Sequence, residues 1–345
     1  MNIKVGILGA TGSVGQRFVQ LLSDHPWFEI VEVAASSRSA DKKYKQAAKW
    51  VMPTPLPDKV ANMTVKECKP NLDCNLVFSG LDSSVAGGIE TDFAEAGYTV
   101  ISNARNHRYD EDVPLMIPEI NPEHMQLIEE QDYKGTIVTN PNCSTIGMVL
   151  ALAPIVDEFG IEAAQVVTLQ AVSGAGYPGV SSMDAIDNVV PYISGEEEKM
   201  VKEPHKILGE YKDGKIEKAD LKVSPQCNRV AVIDGHLESI SIKLEQKASK
   251  QEIIDTWTNY SSMPQEMDLP MAPKKPVHYF EESHLPQPKL QRNIDKGMAI
   301  STGRLQDCAV LDYKFIALSH NTIRGAAGAS ILNAEYMIKK GILEQ

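Results

Sequence analysis

The chain opens with Ile3-Lys4-Val5-Gly6-Ile7-Leu8, runs at once into Gly9-Ala10-Thr11-Gly12-Ser13-Val14-Gly15, and then shows the helical spacing Val14, Phe18, Leu21, Leu22. An apolar strand that ends in a glycine-rich turn and passes directly into a helix is the start of a βαβ unit, which commits the region to a parallel sheet with crossover helices. Short apolar runs at residues 30–35, 76–78 and 98–101 continue that alternation. The glycines stand where a tight turn, close approach of backbone to phosphate and close helix packing each exclude a side chain. Their spacing is GxxGxxG rather than the commoner GxGxxG, and any strand-to-helix turn can be rich in glycine. The position after the first strand favours a nucleotide, with Gly9, Thr11, Gly12, Ser13, Val14 and Gly15 as its contacts. At the end of the second strand, where a carboxylate would hold a ribose 2′-hydroxyl, the chain reads Ser36-Ser37-Arg38-Ser39, with Lys42 and Lys43 nearby. Hydroxyls and a guanidinium suit a 2′-phosphate, hence NADP rather than NAD; the alternative is a solvated loop that merely lacks an acid.

A second feature carries chemistry. Cys143 stands in Asn140-Pro141-Asn142-Cys143-Ser144-Thr145, ahead of a run (Ile146, Val149, Leu150, Leu152, Ile155, Val156) that reads as a buried helix over residues 144–159. A sulfur on the first turn of that helix meets the positive end of its dipole, which favours the thiolate. The competing reading is a buried, inert thiol, the common fate of cysteine.

Beyond Cys143 the pattern changes to longer strands at residues 165–171, 238–245 and 298–305, with Ile240, Ile242 and Leu244 on one face of a half-exposed sheet. A glutamate-rich stretch (195–222) and a proline-rich stretch (264–288) read as surface excursions or subunit contacts, and residues 325–340 as a small-residue helix returning to the first domain. The chain is therefore an α/β protein: an N-terminal Rossmann-type NADP-binding domain, residues 1–141 completed by 322–345, and a mixed α+β catalytic and dimerisation domain, residues 142–321. The formal charge of -12 argues against nucleic acid and anionic membranes as partners, and the five cysteines include no CxxC pair, so neither a disulfide framework nor a metal site is expected. With no export signal and no long apolar span, the expected location is the cytoplasm.

The motifs above, together with Ser102-Asn103-Ala104-Arg105-Asn106-His107-Arg108, Gln170-Ala171-Val172-Ser173-Gly174-Ala175-Gly176, Glu203-Pro204-His205-Lys206, Asn228-Arg229 and Gly235-His236, resemble the aspartate-semialdehyde dehydrogenases over nearly the whole chain, the archaeal and fungal branch above all. The resemblance implies NADPH-dependent reductive dephosphorylation of β-aspartyl phosphate, on the route to lysine, methionine and threonine. It implies Cys143 as the nucleophile that holds a thioester, His236 as general acid/base, and Gln170 as the residue orienting substrate. Arg229 would grip the substrate carboxylate and Glu203 its ammonium, while Lys206 and Arg108, or Arg105 beside it, would take the phosphate. Ser173 and Gly174 would approach the nicotinamide, and Asn321 would meet its carboxamide, although His320 stands where an acidic residue is expected.

Backbone N–H groups of Asn142, Cys143 and Ser144 would stabilise the tetrahedral oxygen, at about 3 kcal/mol per donor. Three cations against a doubly anionic substrate fit an acidic protein, because screening confines charge effects to about 10 Å. The family is a homodimer or homotetramer. Malonyl-CoA reductase and N-acetylglutamyl-phosphate reductase are rivals within the enzyme class. Malonyl-CoA offers no amine to Glu203 and no acyl phosphate to Lys206. A noncatalytic NADP-binding redox sensor and a scaffold protein are rivals outside it.

Overall fold

The computed structural model describes residues 3–343. Its first strand, β1 (Ile3–Leu8), ends at Gly9, whose φ of +72° and whose missing side chain, a Cβ being only 2.7 Å from the Gly80 carbonyl, admit no other residue without strain. Gly15 lets helix α1 (Ser13–Leu22) lie against the same turn, since a Cβ there would fall 2.2 Å from the Gly9 carbonyl oxygen. Around β1 the strands β2 (Phe28–Ala35), β3 (Lys66–Glu67), β4 (Leu76–Ser79), β5 (Thr99–Ser102) and β6 (Thr136–Thr139) form a parallel sheet in the order β3-β2-β1-β4-β5-β6. The order reverses between β1 and β4, and the crevice over the carboxyl ends of such strands is where an open α/β sheet takes its ligand. Helix α2 (Ser83–Glu95) returns the chain from β4 to β5.

Helix α3 (Cys143–Phe159) leads into the second half, and every residue from Ser144 to Ile155 in it is buried. A helix apolar all round needs partners on all sides. It finds them in the second sheet, where β7 (Ile161–Gln170), β8 (Val189–Val190), β11 (Lys222–Val230), β12 (His236–Leu244), β13 (Val277–Phe280), β14 (Ile300–Asp307) and β15 (Tyr313–Ser319) lie in the order β13-β14-β15-β12-β7-β11-β8; β9 (Glu210–Lys212) and β10 (Lys215–Glu217) pair apart from it. Along β12 the alternation buries His236, Glu238, Ile240 and Ile242 and turns Ser239 and Lys243 outward. Ile240, Ile242 and Val166 share one core with Ile146, Val149 and Leu150 of α3. The same core takes in Trp257 of α5 (Lys250–Asn259), whose indole N–H donates to the Ala151 carbonyl at 2.8 Å.

The glutamate-rich stretch expected at the surface is instead α4 (Glu196–Ile207), with Glu196, Met200, Glu203, Lys206 and Ile207 buried on one face. The proline-rich stretch likewise contributes β13 to the sheet. The last helix, α6 (Gly328–Lys339), puts Ile331, Leu332, Tyr336 and Met337 into the core that holds Val5, Ile7 and Phe18. It is tied to the segment before Cys143 by Asn140, whose amide donates to Asn103 Oδ1 (2.9 Å) and Ser330 Oγ (2.6 Å) and whose Oδ1 accepts from Asn333 (2.7 Å). The five cysteines are free thiols. Among the described residues no helix is long and apolar enough to cross a membrane.

Candidate active site

Asn142 caps α3, its Oδ1 accepting from the amides of Ser144 (3.0 Å) and Thr145 (3.2 Å), and this sets Cys143 as the first helical residue. Such a cap satisfies two of the donors a helix start leaves open. Facing Cys143 is the first residue of β12: His236 Nε2 lies 3.3 Å from Sγ, and Nδ1 accepts from the Ala171 amide at 3.0 Å. The chain after β7 closes over the pair. A Cβ on Gly174 would sit 2.9 Å from Arg229 Nη1 and 3.2 Å from His236 Cε1, so only glycine lets this loop approach. Arg229, opposite Gln170 in the sheet register, donates from Nη1 to the Ala171 carbonyl at 2.6 Å.

Burial, followed by the Glu196 carboxylate, pushes the Cys143 thiol up to about 12, with Lys199, Arg229 and Arg108 opposing. Burial, reinforced by Arg229 and His320, takes His236 down to about 3 and keeps the ring neutral. Glu196, to which the sequence motifs assign no role, is central here. It accepts from Asn142 Nδ2 (3.1 and 2.9 Å), from Gln170 Nε2 (3.4 Å) and from Lys199. Burial opposes its ionisation, but Lys199 and these hydrogen bonds hold it below the usual carboxylate range. The one signal that points to it is spacing: Glu196, Met200 and Glu203 recur every three or four residues along one helical face.

Three of the expected contacts are engaged with protein groups. The Lys206 ammonium donates to the carbonyls of Arg108 (3.0 Å), Asp110 (2.6 Å) and Val113 (2.7 Å). Burial lowers it to about 8, against the pull of Asp110 and Asp112, and its contacts tie α4 to the loop that carries Arg108. Arg108 and Glu203, expected at the substrate's phosphate and ammonium, bind each other at 2.8 Å, both buried. Arg105, by contrast, is exposed and close to Gly195 at the head of α4. Of the three proposed oxyanion donors, the Asn142 amide is taken by Glu203 Oε2 (2.7 Å) and the Ser144 amide by Asn142, which leaves Cys143 N–H.

The cofactor residues fall at the carboxyl ends of the first sheet. Gly12 is exposed, caps α1 without a side-chain hydrogen bond, and precedes a first turn free of acidic residues, which fits a pyrophosphate. Ser36, Ser37 and Arg38 are exposed just past β2, and Lys42 donates to the Arg38 carbonyl at 2.7 Å. An open cleft of about 790 Å³ runs from Ser13 and Arg17 on α1 to Ser173 and Tyr177 after β7 and to His320 and Thr322. Asn321 is buried and braces this region, donating to Ser173 Oγ (2.8 Å) and accepting from the Gly235 amide (2.8 Å). Its neighbourhood is held by a bidentate ion pair, Arg324 to Glu119 at 2.6 and 2.7 Å, with neither side chain exposed.

Comparison with known proteins agrees with this geometry. Residues 4–128 match the family model "Semialdehyde dehydrogenase, NAD binding domain" and residues 152–324 match "Semialdehyde dehydrogenase, dimerisation domain". Aspartate-semialdehyde dehydrogenase of Archaeoglobus fulgidus is 47% identical over 348 residues, covering 99% of this chain and 100% of its own, and that of Candida albicans is 48% identical with 99% of each covered. The crystal structure of the Candida albicans enzyme with NADP superposes with a TM-score of 0.92 at 45% identity, over 99% of this chain and 100% of that one. With both halves matched and close to half of all positions identical over the full length, this chain belongs to the aspartate-semialdehyde dehydrogenase family.

Proposed function

We propose that this chain is an NADPH-dependent enzyme that reduces β-aspartyl phosphate to aspartate semialdehyde and releases phosphate, a step toward lysine, methionine and threonine. The observation that carries the reading is the 3.3 Å approach of Cys143 Sγ to His236 Nε2 at the head of a buried helix. An acyl phosphate must lose phosphate before its carbon can be reduced, and a thioester on Cys143 is the acyl form the protein can hold meanwhile. Cys143 N–H would receive the negative charge that develops on the carbonyl oxygen, and His236 would serve as the general acid/base. Gln170, held by Thr168 and Glu196, orients the substrate beside the sulfur, and Arg229 meets its carboxylate. Glu203 and Arg108 form the ion pair at which the substrate's ammonium and phosphate would compete; Arg105 is the cation able to move toward the phosphate.

NADPH, when bound, supplies the hydride. Gly9, Thr11, Gly12, Ser13, Val14 and Gly15 would cradle its pyrophosphate, and Ser36, Ser37 and Arg38 its 2′-phosphate. Ser173, Gly174 and Asn321 would shape the nicotinamide end. The sheet face away from α3, with Leu169, Ser239 and Lys243 exposed, is the proposed contact of a homodimer or homotetramer, and the proposed location is the cytoplasm.

The test is NADPH oxidation with β-aspartyl phosphate, N-acetylglutamyl phosphate and malonyl-CoA offered separately. Preference for either of the latter two overturns the substrate assignment. Cys143→Ser abolishes turnover and retains NADP affinity if the reading holds, and retained turnover would point to a noncatalytic role for the thiol.

A further inference from the structure

We propose that Glu238 is a positioning residue for the Cys143–His236 pair: it lies in a buried polar pocket beneath them, and its water-carried hydrogen bonds to Ser319 and to the first turn of α3 set the distance between sulfur and ring. The inference deepens the reaction proposed above and rests on its assignment of Cys143 and His236.

The sheet register puts the pocket in place. His236 and Ser319 stand opposite each other on β12 and β15, and Glu238, two residues along, lies opposite Ala317 on one side and Thr168 of β7 on the other. Residues two apart on a strand share a face, so Glu238 is one rung below His236 and faces α3 with it. The helix descends in step, since Gly147 follows Cys143 by one turn on the same helical face. A Cβ at Gly147 would fall 2.5 Å from Ser319 Oγ and 3.8 Å from Glu238 Oε1, so a side chain there would displace the hydroxyl and close the space that both oxygens border.

These groups are buried and unpaired. Glu238 is 1% exposed and Ser319 2%, and among the described residues neither Glu238 oxygen nor Ser319 Oγ bonds to a protein group. Ser144 Oγ, beside Gly147 on α3, has no partner either. Buried polar groups in native proteins are nearly always hydrogen-bonded, and where no protein group serves, bound water does. Two hydroxyls and a carboxyl around one small space supply the two to four contacts such a water makes.

The surroundings hold the acid in its neutral form. Facing it are Gly147 and, a turn above, Cys143 of α3, Ala317 and Ser319 of β15, Thr168 of β7 with Cys227 of β11 beyond it, and His236 on β12 itself. None of these is a cation: burial takes His236 down to about 3, Cys227 up to about 11 and Cys143 up to about 12. Arg229 of β11 is a rung higher and turns to the Ala171 carbonyl. A carboxylate in this pocket would be an uncompensated charge, and burial raises Glu238 well above its ordinary value. A neutral carboxyl both donates and accepts, so water can bridge it to two hydroxyls. An apolar side chain would be the more stable filling, and an acid kept here at a cost in stability, directly below the reacting pair, points to a role in the site.

The test uses the full-length protein with Glu238→Gln, which keeps the shape, a donor and an acceptor, and Glu238→Leu, which keeps neither polar group. A crystal structure of the parent shows ordered water joining Glu238 to Ser319; a dry pocket overturns the proposal. Glu238→Leu lowers kcat by up to about a hundredfold, the effect of a reacting group misplaced by about an ångström. Its melting temperature is held or raised, its Sγ–Nε2 contact lengthens from 3.3 Å, and Glu238→Gln keeps kcat near the parent's. Parent kcat in the Leu variant, or a Gln variant as slow as the Leu one, overturns the proposal. So does a Leu variant that loses melting temperature in step with kcat, the mark of a merely structural residue. The unfolded chain releases the Glu238 proton above about 4.5 while the native pocket keeps it, so the parent loses stability relative to Glu238→Gln as pH rises. Between about pH 5 and about pH 7 the two unfolding equilibrium constants diverge by about tenfold per unit, and a constant ratio would show an ionised Glu238 and overturn the neutral pocket. If the parent does not turn over β-aspartyl phosphate, the substrate assignment falls, while the bound water, the Sγ–Nε2 distance and the pH trend still decide on the pocket.

Discussion

Replacing Glu196 by Gln should make Cys143 more reactive, because the neighbouring carboxylate is the second cause, after burial, of a thiol raised from 9.0 to about 12. A rise of three units leaves roughly a thousandfold less thiolate at neutral pH than the ordinary value would. The substitution keeps the side chain's shape and its amide can still meet Asn142, while Lys199 loses its partner and adds its field to the effect. Removal of one nearby like charge is worth on the order of one to two pK units. Each unit multiplies the thiolate fraction tenfold, but a less basic thiolate is a weaker nucleophile with a Brønsted slope of about 0.4–0.5, so the net gain is about three- to fourfold per unit.

Alkylation by iodoacetamide at pH 7.5 should therefore run about three to sixteen times faster at Cys143 in Glu196→Gln than in the parent. The readout must be resolved by peptide, since Cys308, whose thiol is lowered by the Leu311 and Val310 amides, will react first in both proteins. An unchanged or slower rate at Cys143, with the melting temperature preserved, refutes the electrostatic account. So does a parent whose Cys143 ionises near the ordinary thiol value.

Burial takes His236 to about 3 and His124 and His320 each to about 4, all below the ordinary 6.5. Below pH 6.5 the unfolded chain gains up to three protons that the native state refuses, so stability falls as pH falls, by up to about 4 kcal/mol per unit until the native values are reached; urea midpoints that stay flat between pH 6.5 and 4.5 would contradict this. Arg324→Met or Glu119→Gln alone should cost about 3–5 kcal/mol in urea unfolding, and replacing both by apolar residues should recover most of it, because the single changes strand a buried charge. Arg38→Ala should raise the KM for NADPH about tenfold and leave that for NADH nearly unchanged, as loss of a charge-assisted phosphate contact does. Lys206→Met should lower the melting temperature because three carbonyls lose their donor, and Arg105→Ala should raise the substrate KM with the melting temperature preserved; a rise in substrate KM for Lys206→Met and none for Arg105→Ala would assign the phosphate to Lys206.

What is local in this fold is legible in the order of its residues. The β1 turn, the start of α1, the cap at Asn142 and the alternation in β12 each depend on residues within one or two turns of each other, so neighbouring side chains suffice to specify them. Strand β11 escapes such a reading because Pro225 interrupts it; the proline is tolerated where β11 pairs with β7 on one side and β8 reaches only Arg229 and Val230 on the other. The buried face of α4 is hidden by its own charges, since Glu196, Glu203 and Lys206 look like solvated residues until their partners Asn142, Arg108 and the 108–113 carbonyls are known. No local pattern links Asn140 to Asn333, which are 193 positions apart. The partner of His236 Nδ1 is the main-chain amide of Ala171, which side-chain identity cannot disclose.

The placement of α6 bears on how the polypeptide is made. Val5, Ile7 and Phe18 leave the ribosome well before the apolar partners that cover them, Ile331, Leu332 and Met337, are made. Until α6 is translated, the sheet around β1 has an open apolar flank, and a nascent chain stalled short of α6 would be a client for chaperones or proteases even with the segment from Cys143 to β15 complete.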